Sequence, residues 1–182
     1  MPAGRAVPAL PAAPSRGAGG GRSGKGDRMT KDEQYRQALL AVRSLVEDES
    51  DEIAVMASVV CELHHRFERF HWTGFYRVTS PGVLTVGPYQ GGHGCARIPF
   101  DRGVCGRAAR EEATQVVADV RDLPYHIACS STTRSEIVVP VHDRAGRLIA
   151  VLDVDSDEPA AFDGTDRRGL EEICRLVGSR LG

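Results

Sequence analysis

No run of apolar residues in this chain approaches the roughly 20 that a bilayer-spanning helix needs, so a soluble protein with no membrane contact is expected. Basic charge is not in excess either. The formal net charge is -2 and the isoelectric point about 6.3, which gives no overall signal for nucleic acid. The spacings that hold a structural metal, C-x-x-C and H-x-x-x-H, are absent. No secretory leader is expected from the sequence, and the cysteine count is five. An odd number without a leader argues against a small disulfide framework and for reduced thiols in the cytoplasm. No internal repeat is visible. Acid is missing from the first 26 residues, up to Asp27.

What is present fits one domain: 182 residues, of which 41% are apolar, enough for a core. Residues 1–28 are rich in Pro, Gly, Ala and Arg. Such a composition buries too little apolar surface to offset chain entropy, so this stretch reads as a disordered tail. Residues 29–182 read as the folded unit. Thr30-Lys-Asp-Glu33 is a capping-box pattern, and Tyr35, Ala38, Leu39, Val42, Leu45 and Val46 follow at helical spacing. A second helix carries Ile53, Met56, Ala57, Val60, Leu63 and Phe67, with Cys61 beside that stripe as a packing residue.

After Phe70 the period becomes extended. Strands are expected at residues 72–79 and 83–89, then a short one at 97–100. A short helix at 103–112 follows with Cys105 in its first turn, then an extended stretch at 115–120. Residues 123–133 read as a loop holding Cys129. A hairpin at 136–142 and 148–155 turns about Asp143–Gly146. A closing helix at 163–181 points Leu170, Ile173, Cys174 and Val177 inward. The order implies an α+β fold, a mostly antiparallel sheet with helices packed on one face.

The chemistry concentrates between Gln90 and Asp155. Alternation places Asp153 and Asp155 on one strand face. Two neighbouring carboxylates raise each other's proton affinity and suit proton delivery or an ammonium ligand; an exposed face is the bland alternative. Glu136, on the facing strand, approaches the same area. Cys95, Cys105 and Cys129 lie among glycines and other small residues, where a ligand or a second sulfur has room to approach. Three reachable thiols allow a sulfenic acid on one to be resolved by another. Trp72 and Tyr76 share a face and form an aromatic wall, with Phe75 opposite.

Together these blocks resemble a known family. His71-Trp-Thr-Gly-Phe-Tyr76, Gly87-Pro-Tyr-Gln-Gly91, Cys95-Ala-Arg-Ile-Pro99, Gly103-Val-Cys-Gly106, His126-Ile-Ala-Cys129, Ser135-Glu-Ile-Val138 and Val151-Leu-Asp-Val-Asp-Ser156 are similar, in order and in register, to the free methionine-(R)-sulfoxide reductases. Those enzymes are single GAF domains. The resemblance spans Thr30 to Leu181. It departs at Gly92-His93, where the family usually has a lysine after Gln-Gly, and at Ser130, where it commonly has aspartate.

The resemblance implies a thiol-dependent oxidoreductase acting on free methionine-(R)-sulfoxide, with a role in oxidative stress. It needs no cofactor, and thioredoxin is its reductant. By similarity Cys129 is the nucleophile and Cys95 the resolving thiol. Cys105 matches the third cysteine of the family, and a role as nucleophile or relay stays open. Trp72, Tyr76, Glu136, Asp153 and Asp155 match the substrate-binding residues. A homodimer is compatible with the pattern. The competing reading is a non-catalytic GAF module that senses a small ligand. A purely structural dimerisation unit is a third, and it leaves both thiols and acids without a role.

Overall fold

Thr30 accepts a hydrogen bond from the Glu33 backbone at 3.3 Å and starts helix α1, Lys31–Leu45. The computed structural model describes residues 29–123 and 131–181. The expected tail, residues 1–28, lies outside the described residues, and so do Cys129 and Ser130. Only half of the expected capping box forms at Thr30: the Glu33 carboxylate binds Arg36 and Gln37 rather than reaching back. Helix α2, Glu52–Arg66, is capped by Asp51, which accepts from Ala54 N at 2.8 Å.

The buried stripe of α2 is Val55, Met56, Val59, Val60 and Leu63. It is rotated from the stripe expected from sequence, so that Ile53 and Ala57 face out and Cys61 is exposed. Cys61 is therefore not a packing residue; its sulfur lies 3.8 Å from His65 Nδ1. The apolar run 53–60 offers more than one helical stripe about 100° wide. The sheet takes the one with most β-branched bulk.

The sheet contains β1 (Trp72–Ser80), β2 (Val83–Gln90), β3 (Arg97–Pro99), β4 (Gln115–Val117), β5 (Ser135–His142) and β6 (Leu148–Ser156). Their spatial order is β3-β2-β1-β6-β5-β4, and every neighbouring pair is antiparallel. Helix α3, Gly103–Glu111, follows β3, and α4, Gly164–Gly178, closes the described chain. Gly82 and Gly146, at φ 73° and 77°, supply the left-handed positions of the two hairpin turns. The strand expected over 115–120 stops at Val117. Asp119 there caps a short 3₁₀ turn, Val120–Asp122, accepting from Arg121 N at 3.1 Å and pairing with Arg121 and Arg134. A side chain that bonds its own neighbours competes with the ladder.

Alternation along the central strands divides two cores. Phe75, Ile137, Val139, Leu152 and Val154 face α1, α2 and α4, where Met56, Leu63, Leu170, Ile173 and Cys174 pack. Trp72, Tyr76, Val138 and Val151 face the other way, against Val104, Cys105, Ala108 and Ala109 of α3. The α+β fold and the antiparallel sheet are the expected ones, but the helices do not all share one face: α1, α2 and α4 pack on one side and α3 on the other. Gly106 lets α3 sit close: a Cβ there would lie 2.5 Å from Pro99 O. Helix α4 begins with a full capping box, Asp163 with Asp166. Asp166 is fully buried and binds Lys31, Tyr35 and Arg69, tying α1 and the α2–β1 turn to α4. Among the described residues, no helix is long and apolar enough to cross a membrane.

Candidate active site

The face under α3 gathers the polar residues. Across β1 and β6, Trp72 stands opposite Asp155, Gly74 opposite Asp153 and Tyr76 opposite Val151. Across β5 and β6, Glu136 stands opposite Asp155 and Val138 opposite Asp153. Directly opposed residues of an antiparallel pair project to the same side. All three carboxylates therefore lie on one face, beside the two aromatic residues. Helix α3 brings Cys105 down onto them, with its Sγ 3.8 Å from Glu136 Oε1. One ligand atom each from Cys105, Glu136 and Asp153 fall within 4.8 Å of one another.

These groups are sealed. Cys105 is 4% exposed, and Glu136 and Asp153 are each 5% exposed; Asp155 is half-buried. Removing a carboxyl group from water penalises its charged form. Burial pushes Asp153 up to about 7. Burial, and then the charges of Asp153 and Asp155, hold Glu136 well above the ordinary carboxylate range. Asp155 is raised by burial, then by Asp153 and Asp157. The Cys105 thiol is raised by burial first and then by Asp153 and Glu136. The cluster therefore keeps protons near neutral pH. It is suited to donating them or to exchanging them for a cation. Asp153 Oδ1 is buried with no hydrogen-bond partner.

The aromatic wall has three rings. Trp72 stacks on Tyr76 at 5.7 Å between centroids and on Tyr89 at 5.4 Å. Sequence reasoning left Tyr89 unassigned, although it lies within a quoted motif; its position opposite Gly74 puts it on this face. Gly74 makes the stack possible, because a Cβ there would lie 2.5 Å from the Trp72 ring and from Tyr89 Cβ. Trp72 Nε1 donates to Gly92 O at 3.1 Å, and the Cys95 backbone bonds the Tyr76 hydroxyl. The loop carrying Cys95 thus rests on the wall. Its Gly94 leaves no room for a side chain, since a Cβ would come 2.9 Å from Trp72 Cζ2 and 3.0 Å from the Tyr76 oxygen. At the first departure from the family pattern, the Gly92 carbonyl accepts from Trp72 and His93 is exposed.

Cys95 is half-buried and disulfide-bonded, whereas Cys61, Cys105 and Cys174 are free thiols. Cys174 lies in the helix-side core as expected. The structure thus brings Cys105, Trp72, Tyr76, Glu136, Asp153 and Asp155 onto one face and places the Cys95 loop against its aromatic wall.

The GAF domain family model matches residues 46–181. "GAF domain-containing protein A" of Dictyostelium discoideum is 43% identical over 148 residues, covering 81% of this chain and 92% of that protein. The free methionine-R-sulfoxide reductase of Saccharomyces cerevisiae is 34% identical over 155 residues, covering 82% and 86%. The X-ray structure of free methionine-R-sulfoxide reductase from Neisseria meningitidis in complex with its substrate superposes with a TM-score of 0.80. It is 45% identical and covers 85% of this chain and 92% of that one. With this similarity spread over the whole described domain, the chain belongs to the GAF-domain family of free methionine-(R)-sulfoxide reductases.

Proposed function

We propose that this chain is an oxidoreductase that reduces free L-methionine-(R)-sulfoxide to methionine, with thioredoxin returning it to the dithiol state. The observation that carries the reading is the set of three carboxylates, Glu136, Asp153 and Asp155, on one sheet face beside Trp72 and Tyr76. A free amino acid brings an ammonium group that a residue within a polypeptide lacks. Buried acids select for it, because a ligand without that charge leaves them desolvated and unpaired. The aromatic wall suits the methyl-sulfur end.

In the reaction, the Cys129 thiolate attacks the sulfoxide sulfur while a protonated carboxyl of the cluster delivers its proton to the oxygen. Asp153 and Glu136 are suited to this because both hold protons near neutral pH. Methionine leaves, and the oxygen remains on Cys129 as a sulfenic acid. The Cys95 thiol then condenses with it, forming the disulfide and releasing water. Thioredoxin dithiol exchanges with that disulfide and becomes oxidised in its place.

Cys105 is assigned a supporting place. Its thiol is held in the protonated form by burial and by the adjacent acids, and only a thiolate is a strong nucleophile. The engagement of Cys95 in a disulfide, with Cys61, Cys105 and Cys174 free, supports Cys95 as the recycling thiol.

The test is NADPH consumption with thioredoxin, thioredoxin reductase and free methionine-(R)-sulfoxide. Steady oxidation that stops when the sulfoxide is omitted is expected. Tight binding of a small ligand with no consumption would instead identify a sensory module.

A further inference from the structure

Beside the substrate groups, Cys105 forms with two acids a donor set of a kind that carboxylates alone do not provide. We propose that Cys105, Glu136 and Asp153 are a binding site for a thiophilic divalent cation, of which Zn²⁺ and Cd²⁺ are the probes.

The geometry comes first. A tetrahedral ion with metal–sulfur bonds of about 2.3 Å and metal–oxygen bonds of about 2.0–2.2 Å holds its ligand atoms about 3.3–3.6 Å apart. Cys105 Sγ and Glu136 Oε1 already stand 3.8 Å apart, and the three ligand atoms lie within 4.8 Å. Small rotations about the side-chain bonds bring them into a coordination sphere.

A second observation is independent of the clustering. Asp153 is 95% buried, taking its 5% exposure from the whole, and its Oδ1 has no hydrogen-bond partner. A buried acceptor left in that state costs free energy that a cation would recover. The donor set then decides which ion. Oxygen ligands alone would suit Mg²⁺ or Ca²⁺, whereas a thiolate shifts the preference to softer ions. Asp155, opposite Glu136, places a third carboxyl group next to the site.

Binding involves no redox change. The Cys105 S–H bond breaks, its proton leaves to solvent, and a sulfur–metal bond forms. Protons on Glu136 and Asp153 are displaced in the same way, so affinity rises with pH. The binding claim stands without any turnover. Its consequence for catalysis rests on the proposed reductase activity: the ion competes with methionine-(R)-sulfoxide, since both draw on the same acids.

The experiment uses the full chain, oxidised at Cys95, carrying Cys61→Ser to remove the exposed thiol beside His65. Cd²⁺ is titrated in and the ultraviolet thiolate-to-metal charge-transfer band is followed. A band saturating near one ion per chain is expected. Cys105→Ser should abolish it. Glu136→Gln and Asp153→Asn should keep the band but weaken binding by about tenfold or more, the usual cost of a lost or misplaced partner. Three results overturn the proposal: no band in the parent, a band that survives Cys105→Ser, or acid variants that bind as tightly as the parent. If Cys105→Ser fails to fold, judged by its near-ultraviolet circular dichroism, the two acid variants decide. Competition by Zn²⁺ against sulfoxide turnover in the reduced chain is a separate readout, which fails on its own if the reductase reading is wrong.

Discussion

Asp153 shows how a single residue trades stability for chemistry. Its burial raises its proton affinity to about 7 in the folded chain, against about 3.9 when unfolded. The folded state therefore binds more protons between those values. The stability this contributes is complete below about pH 4 and is lost as pH rises through about 7. Asp153→Asn keeps the shape and removes the titration. Its melting temperature should vary less than that of wild type between about pH 5 and pH 8, and at pH 8 it should lie at least about 3 °C higher. Parallel melting curves would show that the group does not titrate in this window. The roles proposed for the thiols are tested at the same scale. Cys129→Ser should release no methionine, because a hydroxyl is far less ionised than a thiol. Cys95→Ser should release about one methionine per chain and then stall with thioredoxin as sulfenic acid accumulates. Quantifying methionine by mass spectrometry separates the two. Release by Cys129→Ser together with none by Cys105→Ser would move the nucleophile to Cys105.

Helices and strands differed in how legible they were. The strands from Trp72 to Ser80 and from Leu148 to Ser156 were readable as short runs rich in β-branched, aromatic and other apolar residues, and the alternation of side chains along any strand placed Trp72 with Tyr76 and Asp153 with Asp155 correctly. The inward stripe of α4 was readable for a similar reason, since Leu170, Ile173, Cys174 and Val177 recur at helical spacing. Helix α2 was misread because Ile53-Ala-Val-Met-Ala57 is apolar throughout and only the sheet decides which stripe is buried; exposed Cys61 is the consequence. The face taken by α3 was not legible, since nothing local to nine residues rich in alanine and glycine says on which side of a sheet they land. Tertiary partners of a capping residue were equally hidden. Asp166 completes the α4 cap and also holds Lys31, Tyr35 and Arg69. Asp166→Ala strips a buried carboxylate from Lys31, Arg69 and the Tyr35 hydroxyl and should destabilise by about 3 kcal/mol, read as a lower urea midpoint with the slope unchanged. A loss under about 0.5 kcal/mol would mean the pairs contribute no more than surface ion pairs do.

At the scale of the whole molecule, one layer of three helices stabilises the sheet and leaves its other face for α3, the acids and the Cys95 loop. The described domain accounts for the site residues other than Cys129. We therefore propose residues 29–182 as the functional unit. Deleting residues 1–28 should change the melting temperature by less than about 2 °C and leave turnover unaltered; a large loss of either would make the tail part of the fold or the site. The central claim is that this pocket acts on a free amino acid, selected by its ammonium group and by the configuration at sulfur. Its most direct test is a single turnover of the reduced wild-type chain without external reductant, counting methionine released from three sulfoxides in parallel. The account predicts about one methionine per chain from free L-methionine-(R)-sulfoxide, and essentially none from the free S epimer or from a peptide-bound sulfoxide. Equal release from the peptide, or no release from the free R epimer, would contradict it.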